Sequence, residues 1–130
     1  RPEITSQATW TEANRKFLEL IDNSKRLCHT GGKNFVVNCH ARVSNLGSDE
    51  NPIWRTRADL GDSLRSKMYG RFNSIFHLRM NGSKRELLMK STPGIDVGSR
   101  YNFPKNLDDP TGEMILKTIH EYKEKVATSG

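Results

Sequence analysis

The chain has 130 residues, 34% of them apolar and 28% charged, enough for one domain with a modest core and a generous polar surface. No run approaches the roughly 18 apolar residues of a membrane helix, and Cys28 and Cys39 alone, without a CxxC, exclude a disulfide framework. The net charge of +6 is concentrated: residues 54–90 hold nine Lys/Arg against three Asp/Glu, a difference equal to the whole excess.

Thr9-Trp10-Thr11-Glu12 has the form of a capping box. After it Trp10, Ala13, Phe17, Leu20, Ile21, Ser24 and Leu27 recur at helical spacing, until Gly31-Gly32 breaks the pattern. A helix over about 10–28, with that stripe facing inward, is predicted. Residues 34–43 alternate, which predicts a half-buried strand with Val36, Asn38, His40 and Arg42 on its polar side. The turn-rich stretch 44–56 reads as a long loop. Leu60, Leu64 and Met68 recur every four residues before Gly70, which predicts a short helix in 57–70 interrupted at Gly61.

Asn81-Gly82 then predicts a hairpin with a type I′ turn. Its register would set Met80 against Ser83, Leu78 against Arg85 and Phe76 against Leu87 on an apolar face. Arg79 would oppose Lys84, and His77 would oppose Glu86, on a polar face. Residues 91–109 read as a second long loop with an edge strand near 97–103. Asp109-Pro110 reads as the N-cap and first residue of a last helix, with Ile115, Leu116, Ile119, Tyr122 and Val126 inward. The expected fold is a single α+β domain over 1–130 in the order α-β-(α)-β-β-α. It has a small antiparallel sheet of three or four strands, two amphipathic helices packed on one face, and the other face open.

That open face would gather cations, and a concentrated positive field attracts polyanions. The candidate nucleic-acid ligands are Arg42, Arg55, Arg57, Arg65, Lys67, Arg71, Arg79, Lys84, Arg85 and Lys90, with Trp54 available to stack on a base. The leading expectation is a small basic RNA-binding protein, of the kind found as a ribonucleoprotein subunit, working in the cytoplasm without cofactor, metal or membrane. The first alternative is a metal-independent, toxin-like ribonuclease. If strand 34–43 lay beside 74–80, His40 and His77 would share the open face as general base and acid. The second is a protein-interaction module using a sheet edge or the 91–109 loop. Zinc is disfavoured, because strand alternation sends Cys39 and His40 to opposite faces.

Two patches, about 17–43 and 76–90, resemble the Alu-domain subunits of the signal recognition particle, the larger subunit in particular. The first runs Phe17-Leu18, then Cys28-His29-Thr30-Gly31-Gly32, then Phe35-Val36-Val37; the second is Leu78-Arg79-Met80-Asn81-Gly82-Ser83-Lys84-Arg85. The resemblance implies an α–β–β–β–α protein that pairs with a sister subunit; a homodimer through the sheet is the other protein partnership expected. The resemblance also implies a grip on folded RNA, with Arg79, Lys84 and Arg85 in the basic hairpin. Some twenty extra residues before the last helix, and the lack of a basic C-terminal tail, depart from the family pattern.

Overall fold

The structure, a computed structural model, describes residues 7–129, with side chains to residue 124. In chain order it forms α1 (Gln7–Thr30), β1 (Ala41–Asn45), β2 (Trp54–Ala58), α2 (Asp62–Tyr69), β3 (Ser74–Ile75) and β4 (His77–Asn81). There follow β5 (Lys84–Leu88), β6 (Gly98–Ser99), β7 (Leu107–Asp108) and α3 (Gly112–Ser129). This is an α+β fold, but its strands divide among three small antiparallel sheets, β1-β2, β3-β6 and β4-β5-β7. The single sheet expected from the sequence, and the one implied by the family resemblance, is not formed. Among the described residues no helix is long and apolar enough to cross a membrane. The chain resolves into two compact units, each built from separated segments.

Among the described residues, the first unit combines 7–39 with 60–71. Its long helix α1 ends where Gly31-Gly32 predicts, in a Schellman turn. Lys33 donates its N–H to the Cys28 carbonyl at 2.7 Å and Gly32 to that of His29 at 3.1 Å, with Gly32 at φ +66°. The predicted capping box is absent, because Thr9 already lies within the helix and Glu12 pairs with Arg15 instead. The stripe that is buried differs from the expected one. Leu18 and Ile21 are buried, with Asn14, Lys25 and Cys28 half-buried along the same line, while Trp10, Phe17, Leu20 and Leu27 are exposed. In α2, Gly61 is the N-terminal boundary rather than an interruption, Gly70 is the C-cap as expected, and Met68 is buried. Residues 34–39, predicted as strand, make no ladder; alternation alone supplies no partner.

The second unit combines residues 40–59 with 72–129. Its core is Leu87, Met89, Phe103 and Leu107, with Phe76, Tyr101, Ile115, Ile119 and Tyr122 packed around it. Phe103 sits edge-on to Phe76 and Tyr122, ring centroids 5.6 Å away in each case, and to Tyr101 at 6.2 Å. Residues 91–109 are therefore no bare loop. They carry β6, which pairs with β3, and β7, which extends the hairpin sheet. The Asn106 side-chain oxygen accepts the N–H groups of Met89 and Lys90.

α3 places Ile115, Ile119 and Tyr122 inward as predicted, leaves Leu116 exposed, and has Val126 outside the described side chains. Its cap is Thr111, whose hydroxyl accepts the Met114 N–H at 3.2 Å, and not Asp109, which bends at φ +44° and donates its N–H to the Arg85 carbonyl.

Phe103→Ala removes three ring contacts at once and is expected to lower unfolding free energy by about 3–5 kcal/mol in urea denaturation. Leu78→Ala, at an exposed position of β4, is expected to change it by less than about 0.5 kcal/mol.

Candidate nucleic-acid interface

The cations predicted to form one face are distributed between the two units. Arg65, Lys67 and Arg71 belong to the first. Arg65 is 1% exposed, with its guanidinium on the Asp62 carboxylate at 2.7 Å and on the Leu60 carbonyl. It closes the start of its own helix and is withdrawn from any polyanion. Arg71 grips Asp22 through Nε at 2.8 Å and Nη2 at 3.3 Å and reaches the Lys67 carbonyl through Nη1, while the Lys25 ammonium donates to the Arg71 carbonyl. Lys67 alone of the three is exposed with no counter-ion among the described residues.

In the second unit the segment read as loop, 54–56, is the start of β2. Register pairs Arg42 with Arg57 and Ser44 with Arg55, so three arginines share one face of β1-β2. Trp54, 62% exposed, pairs with Asn45 and alternates to the other face, so it does not lie among them. The arginines are engaged. Asp96, only 13% exposed, accepts from Arg55 Nε and lies 3.7 Å from Arg57 Nε; Arg42 Nε is 3.5 Å from Asp59. The backbone holds Asp96 there: Thr56 donates to the Gly94 carbonyl at 2.8 Å and accepts from the Asp96 N–H at 2.9 Å. Gly94 turns at φ +76°, a conformation that suits glycine. Sequence reasoning missed Asp96 and Asp22 because they lie 41 and 49 positions from the arginines they serve, with no local signal.

The β4-β5 hairpin forms as predicted in kind but not in register. Asn81 pairs with Lys84, Met80 with Arg85, Arg79 with Glu86, Leu78 with Leu87 and His77 with Leu88. Gly82 takes φ +66° at the first turn position and Ser83 a negative φ at the second, the pattern of a II′ turn. The slide is by two residues, so every side chain keeps its expected face while its partner changes. Glu86 therefore meets Arg79, at 2.9 Å, rather than His77. His77 now stands opposite wholly buried Leu88, so the polar face is covered at that end. Desolvation, with the Arg79 charge second, holds its imidazole below the ordinary 6.5. Toward the turn Lys84 and Arg85 are exposed on opposite faces, and Lys90 is exposed just beyond β5.

His40 and His77 are not brought together as the ribonuclease reading requires. His40 immediately precedes β1, which pairs with β2, and His77 opens β4, which pairs with β5. No family model, curated protein or solved structure matches the chain.

Because the folded state disfavours the charged form of His77, the unfolded chain takes up more protons as pH falls below 6.5. Stability contributed by the neutral imidazole is complete above that value and is lost as pH drops through the lowered folded value. Urea midpoints across roughly pH 7 to 5.5 are expected to fall more steeply for the wild type than for His77→Asn. Parallel pH profiles would show that His77 is not coupled to folding.

Proposed function

We propose that the protein binds structured RNA through phosphate contacts made by Lys84, Arg85 and Lys90, and does so as a binder rather than a nuclease. The observation that carries this reading is the contrast in counter-ions. Arg42, Arg55, Arg57, Arg65, Arg71 and Arg79 all have a carboxylate partner, whereas Lys84, Arg85 and Lys90, and Lys67 in the other unit, are exposed with none among the described residues. An arginine already held by a half-buried carboxylate must break that pair before it reaches a phosphate, and the group left behind is costly. An exposed cation gives up only loosely held counter-ions, and their release drives binding.

Lys84 and Arg85 lie on opposite faces beside a two-residue turn, so the hairpin tip offers a cation to each side. A ribbon of this kind suits contact with two backbones or with both sides of one, which fixes position more than sequence. Leu78 and Met80, exposed beside Arg85, give the tip an apolar surface against sugars or an unstacked base. A folded RNA in a ribonucleoprotein is the partner that the Alu-domain resemblance implies, and this chemistry is compatible with it. Separation of the two histidines into different sheets supports binding without cleavage.

Fluorescence polarisation with an RNA stem-loop at several salt concentrations tests the proposal, with duplex DNA of matched length as the competing arm. Three phosphate contacts give a logarithmic salt slope of about −2 to −3. Lys84→Ala, Arg85→Ala and Lys90→Ala are each expected to weaken binding and reduce that slope by nearly 1. Arg42→Ala is expected to leave the slope unchanged. Triple substitution without loss of affinity would remove the hairpin from the interface, and tighter binding to DNA would reassign the polyanion.

A further inference from the structure

The hairpin tip that carries Lys84 also carries a reactive peptide bond. Of the asparagines in the chain only Asn81 is followed by glycine. Asparagine is thermally labile because its side-chain amide carbon is one ring closure away from the next backbone nitrogen. A glycine in that next position removes the side chain that would crowd the closure. Here both residues are exposed, Gly82 turns at φ +66°, and a Cβ placed on it would meet nothing within 4 Å. Among the described residues neither the Gly82 N–H nor the Asn81 carboxamide has a hydrogen-bond partner, so neither gives up a bond in order to react.

Asn81 is the last ladder residue of β4, and only the turn lies beyond it. No strand lies on the outer edge of β4. Swinging the Asn81 backbone into place therefore opens one terminal pair and leaves the sheet intact, an opening of the local, low-energy kind. The surrounding charge favours the chemistry too. Attack needs the Gly82 nitrogen stripped of its proton and builds negative charge on the carboxamide oxygen. Arg79 and Lys84 share the Asn81 side of the ribbon, with Lys84 directly opposite at a typical Cβ separation of about 5 Å, and their charge stabilises both. The two Asn-Ser steps lack this setting. Asn23-Ser24 lies within α1, where Asn23 accepts from Arg26, and Asn73-Ser74 runs into β3 with the Asn73 carbonyl bonded to the Arg100 N–H.

We propose that Asn81 is a self-modifying site that switches off the nearest RNA contact. The Gly82 nitrogen passes its proton to hydroxide and bonds to the Asn81 Cγ. The side-chain nitrogen takes a proton from water and leaves as ammonia. One water then opens the five-membered imide, giving aspartate or, when it enters at the backbone carbonyl, isoaspartate. No oxidant or enzyme is required. Aspartate supplies Lys84 with a carboxylate directly across the ladder, as Glu86 supplies Arg79 two residues away. Isoaspartate carries the same charge and inserts an extra backbone carbon where the ladder ends. The effect on RNA rests on the role proposed above for Lys84; the reaction itself does not.

The full chain, kept warm in mildly alkaline buffer, is mapped by peptide mass spectrometry over time. Conversion is expected at Asn81 at least about ten-fold faster than at Asn23 or Asn73, with a rate that rises with hydroxide. Asn81→Gln, whose longer amide closes its ring far more slowly, should resist conversion and keep wild-type affinity for the RNA stem-loop. Asn81→Asp should weaken that binding about as much as Lys84→Ala and lower the salt slope by about 1, with no further loss when the two are combined. Aged wild type should bind as Asn81→Asp does. An Asn81 that converts no faster than the other two asparagines overturns the proposal, whatever the protein binds. So does Asn81→Asp that binds as wild type while Lys84→Ala binds weakly. Wild-type binding by Lys84→Ala as well would strike the RNA reading itself, and the switch with it.

Discussion

The second unit depends on one carboxylate. A two-stranded ribbon is marginal in water by itself, and β1-β2 has an arginine-rich face that resists burial. Asp96 makes that face compatible with a folded protein by sitting between Arg55 and Arg57 while its own backbone pairs with Thr56. Ion pair and ladder support each other: the backbone bonds fix the carboxylate, and the carboxylate neutralises the charge that would otherwise repel across Arg42, Arg55 and Arg57. Such an arrangement is strong because the partly buried carboxylate is screened less than a surface one.

This pairing changes what the sequence charge means. Residues 54–90 carry a balance equal to the whole positive excess when counted along the chain. The fold supplies acids from outside that window, Asp22 to Arg71 and Asp96 to Arg55 and Arg57. A linear count measures the far field, which net charge does set, but it does not say which cations can exchange a partner for a phosphate. Those are decided by contacts between distant segments. The guanidiniums, with five donors in a rigid fork, are taken up by these contacts first. At the hairpin it is Arg79 that pairs, and Lys84 and Arg85 near the turn that remain exposed.

What could be read in the sequence follows the same division between local and distant. The end of α1 at Gly31-Gly32, the Gly70 cap, the hairpin around Asn81-Gly82 and the inward residues Ile115, Ile119 and Tyr122 are all local patterns, and they hold. Alternation in 76–88 sorted the side chains to the right sides, because a side depends only on parity. It did not say which side is covered: Leu78 and Met80, expected against the core, are exposed, and Leu88 on the other side is buried. It gave the wrong partners, because the turn closes on Gly82-Ser83 and the register slides by two. For residues 34–39 it predicted a strand where no ladder forms. Conversely Trp-Arg-Thr-Arg-Ala, which follows a turn-rich stretch and lacks an apolar alternation, is extended at 54–58 because β1 lies on one edge and residues 94–96 on the other. The candidate site was legible as a composition and not as a place: its charges were visible, and their counter-ions were not.

The first helix shows the same limit in a sharper form. Periodicity finds an apolar stripe and says nothing about what covers it. Here two stripes compete, and the one chosen by the chain's own fold includes Asn14 and Lys25, polar groups that need partners when half-buried. Lys25 finds one in the Arg71 carbonyl. Turning the other stripe inward would have avoided that requirement and covered Leu20 and Leu27, each worth on the order of 1–2 kcal/mol when removed from water. A fold that leaves those groups exposed and accommodates an ammonium instead forgoes free energy that an isolated chain does not recover, and which becomes available only when another surface meets the helix.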